Sequence, residues 1–304
     1  MPNRRTQSPP AGPVGTAAAG LLLCLMLAGC SFGWPFVRRD AGQQFEPLPP
    51  AVDKAQLVER LNLNASRIIA WRCNDATITA KGVPARLTAT IAVESPQRFR
   101  LVASSITGNE ADFGSNDDRF WFWMRRGEPR QVFTVSHEDF RRLGPRLQIP
   151  FQPDWLMEVL GVSPIDANEY QLAHDDPQRR FARLTAERLM PDGRAVRRSI
   201  VVDTQRGGVI VEHSLYDDGG RLLAKASLLE HRMEPAGVTM PHQVRLEWPP
   251  AGLELTLSLG PIEINPLHLH ERMWEVPAIP DSPTVDLGAM YDRRHAVQPA
   301  GFGR

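Results

Sequence analysis

Residues 253–259, Leu253-Glu254-Leu255-Thr256-Leu257-Ser258-Leu259, place a leucine at every second position with a polar residue between each pair. Side chains of a strand alternate between the two faces of its sheet, so this run reads as a strand with one buried and one wet face. Working outward, the same alternation sets Leu87, Ala89, Ile91 and Val93 against Arg86, Thr88, Thr90 and Glu94. Turn chemistry separates neighbouring runs at Ser95-Pro96, Pro191-Asp192-Gly193, Arg206-Gly207-Gly208, Asp218-Gly219-Gly220 and Pro249-Pro250-Ala251-Gly252. Strands joined by such short turns pair antiparallel, and the pattern describes a meander.

Two helices interrupt it. Val52, Gln56, Leu57, Leu61 and Leu63 form a stripe at helical spacing around Asp53–Leu61, which should pack on the sheet that follows. Asp154-Trp155-Leu156-Met157-Glu158-Val159-Leu160-Gly161 reads as a short helix capped at Asp154 and stopped at Gly161. The chain order is therefore helix, several strands, a helical insert, then more strands, with no βαβ rhythm and no internal repeat. That is an α+β domain on a curved antiparallel sheet, spanning residues 51–276.

Composition changes at both ends. Residues 277–304 are rich in Pro, Gly and polar residues and read as a flexible tail, and residues 30–50 read as an extended Pro/Gly-rich tether. Before that tether come Arg4 and Arg5, an apolar run from Ala17 to Ala28, and small residues, the plan of a secretory signal peptide over residues 1–29. The apolar run is roughly a dozen residues, whereas a membrane-spanning helix needs about twenty. Leu27-Ala28-Gly29-Cys30 resembles the lipobox of bacterial lipoproteins, which implies acylation of the Cys30 thiol and cleavage just before it. Several acyl chains hold a protein stably at a membrane where one holds it loosely. Ser31 is not the Asp that retains lipoproteins in the inner membrane of enteric bacteria, so the expected location is the outer membrane, facing the periplasm.

Behind such a lipobox, the element order resembles the LolA/LolB-like lipoprotein-carrier superfamily, over about residues 51–276. The resemblance implies an antiparallel sheet curved into an open half-barrel and closed by helices, with an apolar ligand between them. Arg119-Phe120-Trp121-Phe122-Trp123-Met124-Arg125 bears on that expectation. Alternation puts Phe120, Phe122 and Met124 on one face and Trp121 with Trp123 on the other, so both faces are apolar. Such a strand is either packed on both sides or forms one wall of a cavity. Phe120, Trp121, Phe122, Trp123 and Met124 are therefore candidate cavity residues, with Trp155, Leu156 and Val159 of the helical insert as the lid.

Other chemistry is poorly supported. The chain carries 35 basic and 35 acidic residues, so no net field favours nucleic acid as a partner. Of three cysteines, Cys24 leaves with the signal peptide and Cys30 is acylated, which makes Cys73 an unpaired, packed thiol. His270-Glu271-Arg272-Met273-Trp274 begins like a zinc-protease motif, but Trp274 stands where the second ligand belongs. His268 and His270 would need further ligands from elsewhere to hold a metal. Asp112-Phe113-Gly114-Ser115-Asn116-Asp117-Asp118 departs from the EF-hand spacing and reads as a solvated turn. There is no nucleophile elbow, phosphate loop or dinucleotide fingerprint, so neither a cofactor nor an enzyme is expected.

The expectation is thus a non-enzymatic envelope lipoprotein, tethered through Cys30, whose half-barrel cups a lipid or a lipoprotein acyl chain by hydrophobic burial. Its rivals are a structural or interaction lipoprotein with a filled core and a hydrolase with scattered groups.

Overall fold

The computed structural model describes residues 45–49, 52–82, 85–143, 153–174, 178–189 and 195–296. The signal peptide, the lipobox with Leu27, Ala28, Gly29 and Cys30, most of the tether, the Pro191-Asp192-Gly193 turn and residues 297–304 lie outside the described residues.

Helix α1 (Lys54–Ala65) starts where sequence places it, for a local reason. Gln56 N–H donates to Asp53 Oδ1 and Asp53 N–H donates to Gln56 Oε1, a capping box that satisfies two orphan donors. Its stripe of Leu57, Val58 and Leu61 is buried, whereas Leu63 is half exposed. Two asparagines clamp the end of the helix: Asn62 exchanges two hydrogen bonds with the backbone of Ile165, and Asn64 does the same with Thr239.

The first group of strands comprises β1 (Ala70–Ala80), β2 (Arg86–Glu94), β3 (Arg98–Ser105), β4 (Gly108–Ser115), β5 (Arg119–Met124) and β6 (Val132–Ser136). After it come α2 (His137–Leu143) and α3 (Pro153–Val159). The second group comprises β7 (Gln171–His174), β8 (Phe181–Leu189), β9 (Ala195–Asp203), β10 (Val209–Tyr216), β11 (Leu222–Met233), β12 (Thr239–Trp248) and β13 (Leu253–Leu259). β14 (Glu263–Ile264), β15 (Thr284–Asp286) and α4 (Leu287–Ala296) complete the chain. All the strands join one sheet, in the order β15-β6-β5-β4-β3-β2-β1-β13-β12-β11-β10-β9-β8-β7, with β14 beside the first part of β1. Both groups are antiparallel meanders, and they are joined in the middle where β1 pairs with β13. A bulge between Cys73 and Ala76 marks where the second neighbour of β1 changes from β14 to β13.

Register sorts the side chains into two faces. On the inner face, opposed positions run Phe133, Phe122, Phe113, Leu101, Ile91 and Cys73 across six strands. These residues belong to or pack against one core cluster with Trp155 and Val159 of α3. A second cluster on the later strands joins Leu184, Ile200 and Val202 to Leu57, Val58 and Leu61 of α1. The fold is thus a large open curved antiparallel sheet with its helices seated on one face, the half-barrel expected from sequence.

The outer face departs from expectation in two places. Asp112–Ser115, read as part of a turn, is the last half of β4, and only Asn116–Asp118 turns the chain. The reason lies across the sheet: Asp112 is buried and accepts two bonds from Arg100, at 2.7 and 3.3 Å, so its charge is matched within the strand pair. Residues 277–296 are not a loose tail: β15 pairs parallel with β6, and Arg142 of α2 bridges to Asp292 of α4.

Candidate functional site

The strongest candidate is the space between the inner face and its helices. α3 ends at Gly161, whose φ of +78° suits a residue without Cβ. Its terminal bonds run from Gly161 N–H to Glu158 O and from Val162 N–H to Met157 O, a Schellman stop. Asp154 lies in the first turn of α3 rather than before it. Three contacts hold α3 to the sheet: Trp71 Nε1 donates to Leu160 O at 3.1 Å, the Trp155 ring meets Trp248 edge-on, and Glu158 pairs with Arg198.

Among the sequence candidates, Phe120, Phe122, Trp155, Leu156 and Val159 come together in this core. Phe99, Phe120, Phe122 and Phe133 form a chain of ring contacts along it. Trp121 and Trp123 are placed elsewhere. They face outward and pack with Val132 under Val276 and Ile279 of the C-terminal segment. Trp121 donates to Asp112 and Trp123 to Ser282. Met124 is about half exposed at the strand end, with relative exposure of 48%.

A cleft of about 380 Å³ opens where the two inner clusters meet, within the range of small-molecule sites. It lies between α1, the segment after α3, and strands β9 to β12. Leu61, Val159, Ile200, Ile210, Leu228 and Met240 give it apolar walls, and Ile210 packs against both clusters. Polar groups share the lining. Burial and the nearby Arg198 charge lower the His213 pKa to about 4, and burial lowers that of His231 to about 4. Both rings are therefore neutral at neutral pH. Burial also raises the Glu158 carboxyl against the pull of Arg198 and pushes Tyr170 up to about 12. His231 Nε2–H donates to Ile210 O at 2.8 Å, which leaves Nδ1 as a bare acceptor. Buried His213 Nε2, His231 Nδ1 and Trp155 Nε1 have no hydrogen-bond partner among the described residues.

Sequence reading missed His213, His231, Tyr170 and the Glu158–Arg198 pair. One signal was available: His213 stands in phase with Leu215 on a strand, where an apolar residue belongs. His268 and His270 remain apart from this cleft, and His270 Nδ1 accepts the Arg272 N–H at the start of a 3₁₀ turn. Among the described residues no group of three or more His, Cys, Asp or Glu is placed to hold a metal.

The sheet order and inner helices define an open half-barrel, a curved antiparallel sheet with helices on its inner face. No family model and no curated protein matches the chain. Among solved structures, it is similar to a DUF1329 family protein from Desulfovibrio piger, at 13% identity over 73% of this chain and 95% of that one, with a TM-score of 0.48. A protein domain from Vibrio parahaemolyticus assigned to outer-membrane lipoprotein sorting is 11% identical over 73% of this chain and 97% of its own, with a TM-score of 0.48. A LolA superfamily protein from Nitrosomonas europaea is 12% identical over 74% and 98%, with a TM-score of 0.45.

Proposed function

We propose that this chain is a non-enzymatic envelope lipoprotein, tethered through acylated Cys30 to the periplasmic face of the outer membrane. It binds an acyl chain of a lipid or lipoprotein between sheet and helices. The observation that carries this reading is the cleft: it opens where the α1 and α3 clusters adjoin at Ile210, so a chain entering it meets apolar wall on both sides. Each methylene so buried contributes about 0.8 kcal/mol. A stably anchored protein does not diffuse as a soluble carrier does, so its part in any trafficking is that of a fixed receiver.

Native mass spectrometry of residues 31–304, purified from cells and then exposed to phospholipid, tests the reading. Retained or acquired lipid adducts are expected, and a chain that stays free of lipid under both conditions overturns it. A second reading is favoured by the full burial of Trp71, Trp155 and Phe120 in the core beneath α3. On that reading the core is filled, the lipoprotein is structural, and proximity labelling recovers protein neighbours instead of lipid.

A further inference from the structure

Apolar walls explain how the cleft would hold a chain but not why buried polar nitrogens line it. His213 and His231 are 2% and 8% exposed, and the buried His213 Nε2 and His231 Nδ1 have no partner among the described residues. A buried polar atom left unsatisfied is costly, and the fold would shed that cost by placing apolar residues there. Nitrogens kept in this state suit a ligand that completes them. The geometry of His231 fixes what it needs: its N–H is committed to Ile210 O, so Nδ1 can only accept, and its partner must bring an O–H or N–H.

Charge at the mouth adds a second requirement. Arg60 donates to Gly207 O at 3.2 Å and Arg67 to Gly237 O at 3.3 Å. Those partners are neutral, and among the described residues neither guanidinium has a carboxylate within ion-pair distance. Glu158 and Glu169 in the same cleft are matched by Arg198 and Arg188, which leaves two arginines against the carboxylate of Asp166.

Resting on the lipid-binding reading above, we infer that the cleft takes the head of an anionic, hydroxyl-bearing lipid. The phosphate meets Arg60 and Arg67 at the mouth, a head-group hydroxyl donates to His231 Nδ1, and the acyl chains run along the apolar walls. A phosphodiester bearing glycerol has this chemistry. A choline head has the phosphate but no hydrogen to donate.

The full-length protein, extracted in mild detergent, is titrated calorimetrically with three ligands: short-chain phosphatidylglycerol, phosphatidylcholine of the same chains, and glycerol 3-phosphate. Phosphatidylglycerol is expected to bind at least about tenfold more tightly than phosphatidylcholine, the worth of one to two good hydrogen bonds. His231→Phe should abolish that preference while leaving phosphatidylcholine binding in place. Because that ring is buried, Arg60→Gln with Arg67→Gln provides a surface test: the preference should shrink and lose its salt dependence. Equal affinity for the two lipids overturns the head-group assignment and leaves lipid binding standing. Binding of neither lipid overturns both readings. Glycerol 3-phosphate binding as tightly as phosphatidylglycerol overturns the lipid as source, because the acyl chains then add nothing.

Discussion

Single residues in this fold are constrained by what lies opposite them. Gly114 sits between Trp121 and Arg100 on neighbouring strands, and a Cβ added there would lie 2.1 Å from the Trp121 indole. Gly114→Ala must displace a fully buried ring, and a loss of about 1–3 kcal/mol is expected, read as a lower melting temperature. His213 and His231 set a dependence on pH. Both titrate near 4 in the fold against 6.5 for an unperturbed ring. Between those values the unfolded chain binds more protons, so stability is present at neutral pH and is withdrawn as pH falls from 6.5 towards 4. Each ring contributes roughly 3 kcal/mol at full extent. Glu158 works in the opposite sense, because its raised carboxyl holds its proton more tightly in the fold. Urea midpoints measured between pH 7 and pH 4.5 should fall for the natural protein and fall less for His213→Leu. Parallel curves would show that the ring is not buried neutral.

Helix α3 illustrates how an element too short to stand alone is kept in place. Seven residues lie below the length at which a helix persists in water, so its order comes from Trp71, Trp248 and Arg198 on the sheet. Removing Arg198 leaves Glu158 buried without its partner. Arg198→Ala is expected to cost about 3–5 kcal/mol, while the double change Arg198→Met with Glu158→Leu should recover most of it. A thermal melt of the three proteins checks this. Elements of this kind were legible where their signals are local: the apolar stripe of α1, the stop at Gly161 and the alternation of β2 and β13 all depend on near neighbours. Elements fixed from a distance were not. Alternation along β5 shows two apolar faces but carries no mark of which one the C-terminal segment covers. Asp112 looks like a turn residue until Arg100, on the adjacent strand, supplies its partner. The same limit hid the cleft, since His213 on β10 and His231 on β11 come to line one space only when those strands and α1 are assembled.

At the scale of the molecule, both ends of the chain bear on function. Deleting residues 277–304 removes Ile279 and Ser282 from over Trp121 and Trp123, and with them the strand beside β6. That protein should lose about 3 kcal/mol or more and aggregate on mild heating, read by light scattering. At the other end, Cys30→Ala should leave the precursor uncleaved at the Gly29–Cys30 bond and free of acyl label. A protein still processed there would refute the lipobox reading. The junction of β1 with β13 also imposes an order in time. On the export route proposed above, the chain emerges amino end first, so β1 through β6 are out while the strand that completes the middle of the sheet is still being threaded across the membrane. Until β13 arrives, one edge of β1 offers its row of unpaired amides and carbonyls to any passing strand. Folding of the newly exported chain therefore waits on its last strands, and the interval before that seam closes is when it most needs protection from its neighbours.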